Sequence, residues 1–194
     1  MKQRFFSILF NIDGIELLEK DLGRRFSKPE FAQYGLWQRI KYLKRNVQYL
    51  TLVYYRLAFA CKRKLLKKFF LSQYQKYSIK TGIEFLLPSL GGGLIMPHWG
   101  RIILNAKSIG ENLYVFHNVT IGNDYASGVP EIGRNVFIGV NSTILGDIKI
   151  GDNVVIGACS FVDFDIPSNS MVVGNPAKVI KTIDDEYIKR MIGY

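Results

Sequence analysis

Histidine and cysteine are scarce in this 194-residue chain, with two of each. Cys61 and Cys159 lie far apart in different regions, so no disulfide framework is implied, and a reducing, cytoplasmic setting fits. Two histidines are too few for a metal centre built on three, and no metal is expected. No run approaches the roughly 20 apolar residues of a membrane span. The N-terminal stretch MKQRFFSILFNIDG is a poor signal peptide: its apolar run is short, Asp13 interrupts it, and no small-residue cleavage site follows. It reads as the start of an amphipathic helix. Acidic residues are outnumbered, 16 against 26 Lys and Arg, for a net charge of +10. Nucleic acid, a membrane surface or a polyanionic small ligand could each answer that excess.

What the chain does have is a six-residue beat. Aliphatic residues recur at Ile132, Ile138, Ile144, Ile150, Ile156 and Val162, preceded by Ile109, Val115 and Ile121 and by Leu90, Met96 and Ile102. A glycine follows many beats. Six fits neither a helix nor a simple strand; it fits a parallel β-helix in which three hexapeptides make one coil. The position four after each beat is also apolar or small (Leu113, Val119, Val136, Ser142, Ile148, Val154, Ser160), giving two inward positions per hexapeptide. A sandwich of short strands would not sustain the run from 132 to 162. The beat breaks twice, by one residue between Ile102 and Ile109 and by a looped-out segment over 123–130. Counted in threes, the residues two after each beat on one face are His98, His117, Val140 and Ala158. They form a column up one corner at about 4.8 Å per step, and it contains both histidines.

Residues 1–80 read differently. Gly is rare after Gly35, and Leu36, Ile40, Leu43, Val47, Leu50, Tyr54 and Leu57 recur at helical spacing. Four helices are expected, one starting near Pro29. The basic stretch 61–70 is either a solvated helix face or a membrane-surface contact. The prism is expected over 81–183, fading after Val162, and a C-terminal helix over 184–194.

The beat, Met96-Pro97-His98 and the exit Val173-Gly174-Asn175-Pro176-Ala177-Lys178 resemble the hexapeptide-repeat acyltransferases. Within these the resemblance is to the serine O-acetyltransferases and the related sugar O-acetyltransferases of polysaccharide gene clusters. The γ-class carbonic anhydrases share the beat, but their three-histidine metal site cannot be matched by two histidines. The resemblance implies an α+β protein: an N-terminal helical segment, a left-handed parallel β-helix of hexapeptide repeats, and a short C-terminal helix. The left hand departs from the usual crossover rule. It also implies homotrimers, or pairs of trimers joined through the N-terminal helices, and acetyl-CoA as cosubstrate. No nucleic acid is expected, and a peripheral membrane contact stays open.

Acyl transfer to a hydroxyl needs a base, an orienting group and donors for the oxyanion. By resemblance His98 is the base, and Glu84 takes the orienting carboxylate's place if one residue is deleted. Gly122, Gly139, Val140 and Ala158 border the groove for the cosubstrate, and Lys178 and Lys181 meet its phosphates. The acceptor side departs from the serine-specific pattern: Val129-Pro130 replaces a His-Pro, and Pro97 replaces an Asp. Trp99 and Tyr125 are either sugar-stacking faces or packing. His117 contacts the acceptor or supports His98. Arg101 and Arg134 could meet a carboxylate, and Asp124 an ammonium. The expectation is an O-acetyltransferase acting on a sugar hydroxyl, with L-serine acetylation and a non-catalytic trimeric scaffold as alternatives.

Overall fold

A computed structural model describes residues 12–26 and 33–193, in two compact units, 1–83 and 84–194. Residues 1–11 and Pro29 lie outside the described residues.

The first unit is helical: α1 (Ile12–Phe26), α2 (Leu36–Arg45), α3 (Val47–Ala60) and α4 (Lys64–Thr81). The apolar series from Leu36 to Leu57 suggests one periodic stretch. The chain instead breaks at Asn46, whose side-chain amide and backbone N–H both donate to Tyr42 O. The buried face of α3 is also not that series. It is Tyr49, Leu52, Tyr55 and Ala58, with Gln48, Thr51 and Arg56, because α3 packs against helices on several sides. Gly14 lets α1 approach closely, since a Cβ there would sit 2.5 Å from that of Ala60. Arg56 Nε closes on Asp21 at 2.8 Å, both side chains buried. Tyr54 and Tyr77 stack at 5.4 Å between α3 and α4. Gly82 ends α4 at φ 69°, a left-handed cap that glycine adopts without strain.

The second unit is a three-sided prism of parallel coils. Its first sheet runs β1 (Ile83–Phe85), β2 (Ile102–Leu104), β5 (Val119–Gly122), β8 (Thr143–Leu145) and β11 (Phe161–Val162). The second runs β4 (Tyr114–Val115), β7 (Val136–Ile138), β10 (Val154–Ile156) and β12 (Ser170–Gly174), with β13 (Ala177–Thr182) added antiparallel at the edge. The third runs β3 (Ser108–Ile109), β6 (Glu131–Ile132) and β9 (Lys149–Ile150). Both inward positions of the hexapeptide are buried throughout, including Ser142 and Ser160, whose hydroxyls share Gly157 O as acceptor. Each buried aliphatic in these columns contributes about 1.5–3 kcal/mol by leaving water.

Register corrects the beat at two places. Ile121 pairs with Leu104, and Ile102 with Val119. Leu104 therefore carries the beat, with two extra residues after Met96 and one fewer before Ile109. Both Ile102 and Leu104 point inward, so periodicity alone could not choose between them. The prism also outlasts Val162: Ile166 bridges Ile150, and Val172 pairs with Ile156. Helix α5 (Asp185–Ile192) closes the chain, its N-terminus capped by Asp184, which accepts from Tyr187 N at 2.8 Å. Its Ile188 and Ile192 cover Val155, with Tyr114, Phe137 and Met171 packed around them.

One device left no trace in the hydrophobic pattern. Asn112, Asn135, Asn153 and Asn169 occupy one corner at φ 55–65°. The side-chain amides of Asn112, Asn135 and Asn153 each donate to the next one's carbonyl oxygen at 2.9–3.0 Å. Asn tolerates this left-handed corner better than other non-glycine residues. The signal lay in asparagine recurring once per coil, not in the aliphatics.

Candidate active site

The corner between the second and first sheets follows Met96, Val115, Ile138 and Ile156 in adjacent coils. Ile95 bridges Tyr114, and Val115 and Ile156 both pair with Ile138. The residues two further on are His98, His117, Val140 and Ala158, so the column stands as expected. Backbone bonds carry it, with Asn141 N donating to His117 O and Cys159 N to Val140 O. The slip at Ile102 does not disturb it, because His98 is counted from Met96. The column continues to Gly174, four coil steps or about 19 Å from His98. Lys178, exposed on β13, pairs with Val173 beside that end.

His98 and His117 meet edge to face, ring centroids 5.8 Å apart. His98 is exposed and also lies 6.0 Å from the Phe116 ring. Phe116 in turn joins Tyr114 and Phe137 in an aromatic ladder on the outside of the second sheet. Trp99, next to His98, is 65% exposed. His117 is held from behind: a Cβ on Gly100 would fall 2.8 Å from its own. Its Nδ1 is buried and, among the described residues, has no hydrogen-bond partner. A buried polar nitrogen without a partner is costly.

Other expected site residues fall elsewhere. Glu84 is exposed on β1, and among the described residues no hydrogen bond joins it to His98. Gly122 ends β5 at the far edge of the first sheet, across the strand from the histidines. Asp124 and Tyr125 sit in the loop at that far corner. Asp124 accepts from Ala126 N, Ser127 N and Ser127 Oγ at 2.8–3.0 Å, with a longer bond from Gly128 N. These donors, Ser127's first, hold its carboxyl well below the usual carboxylate range. Within this chain it organises its own loop. Tyr125 projects fully into solvent at φ 65°. Arg134 pairs with Asp152 at 3.0 Å on the asparagine corner, away from the histidines. Lys181 Nζ lies 4.1 Å over the Tyr187 ring. Within one chain, therefore, His98, Trp99, His117, Val140, Ala158 and Lys178 share a corner, while Gly122, Asp124, Tyr125 and Arg134 do not.

Residues 130–163 match the bacterial transferase hexapeptide family (six repeats). The chain is 34% identical over 143 residues to serine acetyltransferase 4 of Arabidopsis thaliana, covering 71% of this chain and 40% of that protein. It spans half or less of the other curated serine acetyltransferases it matches. The soybean serine acetyltransferase solved with serine superposes with a TM-score of 0.70 at 25% identity, over 91% of this chain and 72% of that one. A Brucella abortus serine acetyltransferase solved with coenzyme A shares the fold, with a TM-score of 0.68 at 24% identity over 87% and 68%. Repeat, relatives and superposition agree in what the chain resembles: the hexapeptide-repeat acyltransferases, and within them the serine O-acetyltransferase-like branch.

Proposed function

We propose that the chain is an acetyl-CoA-dependent O-acetyltransferase with L-serine as the first acceptor to test, built as a left-handed β-helix that assembles into trimers. The observation that carries the chemistry is the exposed His98 packed against His117, whose buried Nδ1 lacks a partner. The curated relatives named above are serine acetyltransferases, which puts serine ahead of the sugar acceptor expected from the sequence. Trimer packing would set the histidine corner of one prism against a neighbour and supply the second wall of a groove.

The residues suit the cosubstrate. Val140 and Ala158 are small enough to leave the corner open along its length, and Lys178 supplies a cation for phosphate at its end. Acetyl-CoA, when bound, supplies the activated acetyl group and departs as the free thiol. His98 takes the acceptor hydroxyl proton as oxygen attacks, and returns a proton to the departing sulfur. Glu84 is the carboxylate offered as its orienter, through a rearrangement or across subunits. His117, packed edge to face on His98, contacts the acceptor or supports the base.

A second reading, a sugar hydroxyl, rests on specific residues. Pro97, Val129 and Pro130 carry no charge where a zwitterion needs partners, and Asp124 is engaged in its loop. Burying serine's charges without partners would cost several kcal/mol. Trp99 offers a flat exposed face. Coenzyme A release should be measured with L-serine and with nucleotide- and lipid-linked sugars. Saturable release with serine alone supports the first reading, and release with a sugar alone replaces it by the second. Release with neither overturns the transferase reading.

A further inference from the structure

The positive charge of this protein is not spread over it. Residues 1–83 hold eighteen Lys and Arg against five Asp and Glu, whereas residues 84–194 hold eight against eleven. The prism with the histidine corner is net acidic, so the basic excess lies in the helical unit. Between Glu30 and Glu84 there is no acidic residue, and there are twelve cations. One of these, Arg56, is consumed by Asp21 inside the helices.

Helix α4 displays several of the others. Its inner face is well occupied: Phe70 and Tyr77 lie against Tyr54, Tyr74 lies against Tyr55, and Leu66 packs on Ala60 and Cys61. The outer face of such a helix is ordinarily polar. Here it carries Leu65, Phe69 and Ile79 at 84%, 51% and 77% exposure. At 100° per residue the three fall on one stripe. Lys68, Lys76 and Lys80 stand on the same side, with Lys64 at its edge, all exposed. Apolar anchors thus sit among lysines on a single outward face.

We propose that this face of α4 docks flat on an anionic lipid bilayer. Leu65, Phe69 and Ile79 enter the headgroup–acyl boundary while the four lysines reach lipid phosphates. A second copy of the chain fits the face poorly, because it would bring lysine against lysine with no acid between Glu30 and Glu84 to offset the repulsion. Nucleic acid would take the lysines but leave Leu65 and Ile79, which neither stack nor pair with bases, in water. A bilayer satisfies both at once, since long lysine stems snorkel along an apolar surface with their heads in the phosphate layer.

The test is co-sedimentation of the full chain with phosphatidylcholine vesicles, with and without about one-third phosphatidylglycerol. Binding to the anionic vesicles should be at least about tenfold stronger and should fall as salt screens it. A triple variant, Leu65→Gln, Phe69→Gln and Ile79→Gln, should lose roughly tenfold in vesicle binding while keeping its helix content and its thioester turnover. Replacing Lys64, Lys68, Lys76 and Lys80 by Gln should abolish the preference for anionic vesicles. Equal binding to neutral and anionic vesicles, or a triple variant that binds like the parent, overturns the proposal. So does a parent assembly that shrinks in the triple variant, which would give the face to a second copy. Tighter binding to single-stranded RNA than to vesicles, unaffected by the triple variant, would give it to nucleic acid.

Discussion

The helical unit and the prism solve the same packing problem by opposite means. In the prism the backbone does the organising: parallel coils stack through regular N–H to C=O bonds, and the side chains repeat in like columns. In the helical unit each contact is particular, as with the Asp21–Arg56 pair, the Tyr54–Tyr77 stack and the Gly14–Ala60 approach. A repeating design tolerates a local slip, such as the one around Leu104, because the coils above and below re-establish register. A design of singular contacts has no such redundancy. The prism is also where the chemistry gathers, while the helices carry the charge.

That contrast can be pressed on each side. The largest expected effect is on the prism: His98→Ala should lower acetyl-transfer turnover by about two to four orders of magnitude. Melting temperature and coenzyme A affinity should barely move. Turnover at the parental level would remove His98 from the mechanism and turn attention to His117.

On the helical side, Asp21→Ala leaves the Arg56 guanidinium buried without its carboxylate. The expected loss is about 3–5 kcal/mol, read in chemical denaturation followed by helix signal. Adding Arg56→Met to that variant should recover most of it. If Asp21→Ala melts like the parent, the pair is not a structural element of the unit.

The smallest of the three concerns Tyr55, whose phenol burial pushes up to about 12, with Arg56 working in the opposite direction. The folded state thus prefers the neutral phenol. The associated stability is complete below pH 10 and is lost as the pH rises towards 12, about 2–3 kcal/mol in all. Tyr55→Phe should flatten the stability profile of the helices over that window. An unchanged profile would show that other groups set the alkaline limit.

The hexapeptide beat made the prism legible without coordinates, and with it the phase that stacks His98 on His117. Inward and outward positions alternate through local backbone geometry, so one chain's sequence is enough to count them. The helical character of the first unit's described residues was legible for the same reason. The buried side of α3 was not, because a helix contacted on several sides has no single apolar stripe. The choice between Ile102 and Leu104 was not legible either, since both point inward and only strand pairing distinguishes them. Asp124 illustrates the same limit at the site. Its charge and loop position suggested a partner for an ammonium; the hydrogen bonds its carboxylate takes from the amides of Ala126 and Ser127 were visible only in the fold.

By itself, then, the sequence determined the coil, the column of His98, His117, Val140 and Ala158, and an uneven division of charge. Tertiary structure alone decided which groups share a corner. It left His117 Nδ1 buried without a partner, put Gly122, Asp124 and Tyr125 across β5, and turned Leu65, Phe69 and Ile79 outward among lysines. The physical reason is range. Periodicity is enforced over a few residues by backbone sterics, whereas a side chain's partners are chosen by whatever coil or helix folding brings beside it.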